Sequence, residues 1–284
     1  MKSEDKRKRI KVSSLCQGRR PLLICVVADA TPAECIASIR NAIYDGADGF
    51  MLDLAKLENR YHTMGDLHEI IDYAQDKPVI TFNYRYSRGE STGSTDEELM
   101  ESQILAARAG ADMCDIMGDI YDPSPLQLTY NEKIIEKQKK LVKQLQDLGA
   151  EVLMSSHTWV MMGAQQTVEH ARLLKTRGAE MIKIAMCAMT EDDLLETMKT
   201  TSLMRRELEY PFLHVCMGQH GKIHRIVSGM LGSSMLLCVQ QYSDLSHRDQ
   251  PLLRATRDVL NNFDWGIAKE PLIGAVIPEQ LVKR

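Results

Sequence analysis

Nine polar side chains in this sequence have the types and the order along the chain to act together. Lys183 stands in the middle of the apolar run Met181-Ile182-Lys183-Ile184-Ala185, and His157 ends the run that begins at Glu151. Asp53 and Asp115 lie inside two further apolar runs. Asn83 and Arg85 directly follow another, and Ser246, Gln250 and Arg225 lie late in the chain. A lysine facing a packed interior is costly unless it is paired or neutral. Desolvation lowers an amine's pKa, and a neutral amine attacks carbonyls. A histidine nearby can move protons, and an arginine can grip a carboxylate with two parallel bonds. The chemistry such a set would do is imine formation on a carboxylate-bearing carbonyl compound. Taken singly, each residue has a plainer use. A lone strand lysine reaches solvent or an acid, a lone histidine is a hydrogen-bonded structural group, and Arg85 with Arg88 is a solvated loop.

The elements that must hold these residues repeat a single rhythm. Leu22-Leu23-Ile24-Cys25-Val26-Val27-Ala28 is a continuous apolar run, the mark of a strand covered on both faces. Thr31-Pro32 opens a helix that stops at Gly46. Further strands are expected at Gly49–Leu54, Pro78–Phe82, Met113–Met117, Glu151–Ser156, Met181–Ala185, Pro211–Cys216 and Ser233–Val239. Helices fill the intervals, with capping signals at Thr95-Asp96-Glu97-Glu98 and Thr190-Glu191-Asp192-Asp193. Ile120–Tyr130 reads as an irregular connection, longer than most βα loops. Strict βα alternation argues for a parallel sheet, and eight units fit a closed α/β barrel, the (β/α)8 TIM barrel. No GxGxxG follows the first strand, which weakens a dinucleotide-binding fold. The division expected is an N-terminal arm with a short hairpin over residues 1–20 and one barrel domain over 21–284. In such a barrel the active site lies at the C-terminal strand ends, where His157 and Lys183 come from neighbouring strands.

Composition narrows the function. The formal charge of −4 offers no global basic field for nucleic acid. The 17 methionines read first as core packing, and the seven cysteines form no CxxC pair, so they read as reduced thiols. No run is long enough to span a membrane, and the charged N-terminus lacks the apolar stretch of a signal peptide. Gly89-Glu90-Ser91-Thr92-Gly93-Ser94 lacks a GK[ST] ending and reads as a lid or plain loop. His220, His224 and His247 with Asp115 or Asp119 match no known metal-ligand spacing.

Ser155-Ser156-His157-Thr158-Trp159 looks like an S-x-H-x-F stretch and Lys183-Ile184-Ala185 like K-x-A. Met217-Gly218-Gln219-His220-Gly221-Lys222-Ile223-His224-Arg225 looks like M-G-x-x-G-x-x-S-R. Ser246 and Gln250 keep the ends of an S-A-P-G-Q loop, and Asn83-Tyr84-Arg85 stands where T-x-R is expected. With these motifs in this order, the chain resembles the type I 3-dehydroquinate dehydratases, (β/α)8 barrels that act through a lysine Schiff base. The resemblance implies Lys183 as the imine lysine, His157 as general acid/base, and Arg225 and Gln250 as carboxylate anchors. Arg85, Ser246 and Asn83 are implied at the substrate. It further implies a shikimate-pathway lyase of aromatic amino acid biosynthesis, a small carboxylate substrate, no cofactor, a homodimer and a cytoplasmic location. The departures are Met51 and Asp53 in place of E-x-R in the second strand, and Met117 in place of a glutamate that orients the histidine. His224 replaces the serine before the arginine, and His247-Arg248-Asp249 replaces A-P-G. Asp115 is then expected to reach His157, and Asp53 to replace a lost carboxylate. These departures predict a related hydroxylated cyclic keto acid as substrate. The alternative is an inactive relative that binds a shikimate-like carboxylate or a protein partner.

Overall fold

A computed structural model describes residues 7–18, 20–87, 90–246 and 248–262. Arg19, Arg88, Gly89, His247, the first six residues and those after Asn262 lie outside the described residues. Eight parallel strands form the barrel: β1 (Leu22–Val27), β2 (Gly49–Asp53), β3 (Val79–Phe82), β4 (Met113–Met117), β5 (Glu151–His157), β6 (Met181–Cys187), β7 (Phe212–Met217) and β8 (Met235–Cys238). Their order in the sheet is β8-β1-β2-β3-β4-β5-β6-β7, so seven parallel ladders run around the barrel. The β7–β8 seam is joined by serines. Ser234 N–H donates to the Phe212 carbonyl at 2.8 Å, and Ser233 Oγ accepts from His214 N–H at 3.1 Å.

Among the described residues, eight longer helices accompany the strands: α2 (Pro32–Tyr44), α3 (Met64–Tyr73), α4 (Asp96–Ala109), α5 (Glu132–Asp147), α6 (Ala164–Lys175), α7 (Glu191–Glu207), α8 (Gly221–Leu231) and α9 (Leu253–Asn261). The caps read from sequence are formed. Thr31, Thr95 and Thr190 each accept from a backbone N–H three residues on, and Glu34, Glu98 and Asp193 return the bond.

Strand side chains alternate, and that alternation builds two cores. Leu23, Phe50, Leu52, Ile116, Met154, Ile182 and Ile184 face the helices. Ile24, Met51, Ile80, Met113, Leu153, Met181, Leu213 and Met235 fill the barrel floor. Lys183 shares the inward parity of Met181 and Ala185, one layer above that floor.

The N-terminal arm departs from expectation. Where a hairpin is expected, Val12–Leu15 forms one helical turn, α1, and no described residue before Leu22 is in a strand. Beyond the turn's own backbone bonds, polar groups of the arm bond the barrel's lower rim. Arg7 pairs with Asp112 at 2.6 Å, and Ser13 N–H donates to Glu151 at 2.8 Å. Arg9 donates to the carbonyls of Ala107 and Ala111. A helical turn held this way pushes Val12, fully buried, into the barrel floor. Part of the stretch read as a lid or plain loop, Glu90–Ser94, lies within the described residues. There Glu90–Ser91 pairs antiparallel with Tyr86–Ser87.

Candidate active site

Lys183 lies in the middle of β6 and is 4% exposed. Its ammonium donates to the Tyr84 hydroxyl at 2.7 Å and to Asp115 Oδ2 at 3.3 Å, and the Tyr84 hydroxyl donates to the same carboxylate oxygen. The Phe82 and Tyr84 rings lie 5.9 and 5.0 Å from Nζ. Burial pushes the Lys183 pKa down, the nearby Arg225 pushes the same way, and Asp115 and Asp53 oppose. Burial, then the Asp115 charge, raises the Tyr84 phenol well above its ordinary value, so it stays protonated.

His157 ends β5, two residues beyond Ser155, the strand partner of Lys183. Two residues of strand is about 6–7 Å toward the opening. Its ring stands 4.6 Å from that of Tyr84, centroid to centroid, so Tyr84 touches both Lys183 and His157. Gln127 Oε1 accepts the His157 backbone N–H at 2.7 Å and lies 3.0 Å from Nδ1. Asp115, expected at His157, bonds Lys183 and Tyr84, and Gln127 bonds His157.

The remaining predicted residues divide. Arg225 is buried on α8, with Nη2 3.4 Å from Asp249 Oδ2 in the loop after β8. Gln250 is buried in that loop, and its Oε1 has no hydrogen-bond partner among the described residues. Asp53 is buried at the C-terminal end of β2, where its Oδ1 accepts from Ala55 N–H at 3.1 Å. Its charge is felt at Lys183. Three others turn away from the lysine. Asn83 donates to Ser102 on α4 at 2.9 Å. Ser246 bonds Ser243 in its own turn. Arg85 is clasped by Asp96 at 2.6 Å and Asp119 at 2.7 Å. His224 lies behind the barrel, sharing the Thr201 hydroxyl with His214 at 2.8 Å each. No three His, Cys, Asp or Glu converge as a metal site among the described residues.

From the sequence, Tyr84 stands out only as one of the polar residues after the third strand, and Gln127 not at all. Tyr84 had a usable signal, since it continues the inward parity of Ile80 and Phe82. Gln127 had none, because it sits in the irregular loop between β4 and α5.

The model of the type I 3-dehydroquinase family matches residues 24–263. The chain belongs to the type I 3-dehydroquinase family. Relatives in sequence include the 3-dehydroquinate dehydratase of Klebsiella pneumoniae, 27% identical over 220 residues, covering 75% of this chain and 82% of the relative. The enzyme of that name from Geobacillus thermodenitrificans is 27% identical over 197 residues, covering 68% and 70%. Among solved structures, the 3-dehydroquinate dehydratase of Geobacillus kaustophilus superposes with a TM-score of 0.73 at 17% identity, covering 90% of this chain and 96% of the other. The type I enzyme of Clostridium difficile, solved with covalently modified comenic acid, also gives 0.73, at 18% identity, covering 90% and 97%. As a type I 3-dehydroquinase, this chain departs from the family pattern at Met117. The Met117 sulfur lies 3.9 Å from Arg85 Nη1 and 4.0 Å from Gln127 Nε2, between the clasped arginine and the amide that holds His157.

Proposed function

We propose that the protein is a Schiff-base lyase that dehydrates 3-dehydroquinate or a related hydroxylated cyclic keto acid. The observation that carries this reading is the buried, desolvated Lys183 inside the barrel, with Tyr84 in contact with both it and His157. The neutral Lys183 amine adds to the ring ketone, and the carbinolamine loses water to give the iminium. The iminium acidifies the adjacent C–H, and His157 removes that proton. The enamine then expels the β-hydroxyl, to which His157 returns the proton, so water leaves. Hydrolysis of the imine restores the amine and frees the unsaturated keto acid. General acid–base help of this kind contributes on the order of 10²–10⁴ in rate. Arg225 exchanges its Asp249 contact for the substrate carboxylate, and the Gln250 amide oxygen accepts from a substrate hydroxyl. The apolar Met51 and Met117 favour a ring that displays fewer hydroxyls to β2 and β4 than 3-dehydroquinate does.

Borohydride trapping with 3-dehydroquinate and related cyclic keto acids, read by mass spectrometry, tests this. A reduced adduct on Lys183 is expected, and none on the Lys183→Met variant. No adduct with any of these compounds overturns the reading. The Lys183–Asp115 pair favours a second reading, a relative that binds a shikimate-like carboxylate without turnover. That reading expects shikimate to raise the melting temperature with no adduct and no product.

A further inference from the structure

We infer that Gln127 is the positioning residue of His157: it fixes the imidazole as the Nδ1–H tautomer, with the basic lone pair on Nε2. The inference deepens the lyase reading and rests on it for the role of His157, though the tautomer itself does not depend on that reading.

The assignment follows from donor and acceptor chemistry. The His157 backbone N–H meets Gln127 at 2.7 Å, and a peptide N–H can only donate. The amide must therefore turn its oxygen, not its NH2 group, toward His157, which settles the orientation of the side chain. The same oxygen lies 3.0 Å from Nδ1. An amide oxygen only accepts, so Nδ1 carries the hydrogen. In a neutral imidazole the other nitrogen is then the base. One side chain thus anchors both the backbone and the ring of His157, where the family pattern has a glutamate at the Met117 position.

The loop that presents Gln127 is built against conformational cost. The described non-glycine residues with positive φ are three, and two of them, Tyr121 at 72° and Gln127 at 47°, lie in this loop. Such conformations cost on the order of 1–3 kcal/mol and persist where surroundings over-determine them. Here the surroundings begin with Arg85. It holds Asp119, whose other oxygen accepts from Ser124 N–H at 2.7 Å, and the Ser124 carbonyl accepts from Gln127 N–H at 3.0 Å. Asp96, on the other side of Arg85, accepts from Tyr121 N–H at 2.7 Å. Gly118 completes the fit. A Cβ there would stand 2.7 Å from the Gln127 carbonyl and 2.2 Å from Leu174. Arg85 therefore serves as the clasp of the loop that orients the histidine.

The test is nitrogen-15 NMR of histidine-labelled full-length protein, at a pH where the imidazole is neutral, with His157 assigned by the loss of its signals in His157→Gln. A protonated Nδ1 and an unprotonated Nε2 are expected. Gln127→Gly removes the acceptor, and glycine suits the left-handed backbone, so this variant is expected to fold. Its His157 signals should move toward the opposite tautomer, whereas Gln127→Glu, which keeps an acceptor, should preserve the wild-type pattern. With 3-dehydroquinate, kcat should fall about tenfold or more in Gln127→Gly at unchanged KM, and Gln127→Glu should recover it. A proton on Nε2 in the wild type, or an unchanged pattern in Gln127→Gly, overturns the assignment. A missing Lys183 adduct would instead remove the lyase reading and leave the tautomer result standing.

Discussion

Lys183 and Asp115 form a buried ion pair, Nζ to Oδ2 at 3.3 Å, and the Tyr84 hydroxyl bonds to both. Two influences on the amine oppose each other: burial favours the neutral form, and the carboxylate favours the ammonium. Burial dominates, so the folded pKa lies below the ordinary 10.5. Between that lowered value and 10.5 the unfolded chain binds the extra proton, so this group's contribution to stability grows as pH rises through the window.

Asp115→Asn removes the opposing charge. The Lys183 pKa should fall further, because burial then acts with less opposition. The acid limb of borohydride trapping with 3-dehydroquinate should move to lower pH with it. An acid limb unmoved in Asp115→Asn would show that the carboxylate does not govern the amine.

Arg85→Met leaves Asp96 and Asp119 without their shared cation. Breaking a mostly buried pair costs about 3 kcal/mol, with the remainder set by how far water reaches the acids. Urea unfolding should show this loss. Amide exchange should speed up through residues 119–128 before it does so in β4 or β5. Uniform acceleration across the barrel would contradict the clasp role.

Asp249→Ala should tighten binding of shikimate or 3-dehydroquinate. Asp249 is 48% exposed and holds Arg225 only at 3.4 Å, so displacing it costs about 1 kcal/mol at most. Titration calorimetry should therefore find a Kd up to about fivefold lower. A weaker Kd would mean that Asp249 itself contacts the ligand.

Acid should destabilise the protein through its buried histidines. Burial holds His170 at about 4 and His214 at about 3, both below the ordinary 6.5. Between those values and 6.5 the unfolded chain binds protons that the native state refuses, so stability falls as pH drops below 6.5. At pH 5, His170 accounts for about 2 kcal/mol of that loss. His170→Leu should flatten the decline between pH 7 and 5 by this amount in urea titrations.

The barrel was legible in the sequence because each strand is an apolar run between helix caps, and burial on both faces leaves few other folds. Lys183 and His157 were legible because a charged or titratable residue inside such a run is costly and stands out. The arm was misread because its partners, Asp112 and Glu151, are far away in sequence, and nothing local signals that Val12 enters the floor. Arg85 looked like a substrate ligand by position. Only three-dimensional packing brings Asp96 and Asp119 onto it. Gln127 was invisible because irregular backbone has no period from which to infer where a side chain points.

The serine-fastened seam between β7 and β8 makes the barrel a hoop with a clasp. Seven joints are closed by ladders of backbone bonds, and the eighth hangs largely on Ser233 and Ser234. Arg225 follows one side of this joint in the chain, and the loop with Asp249 and Gln250 follows the other. Breathing should therefore begin where the two halves of the carboxylate grip meet, making the hoop's weakest joint also its doorway. Native-state hydrogen exchange should find the amides of β7 and β8 opening ahead of those in β4, β5 and β6.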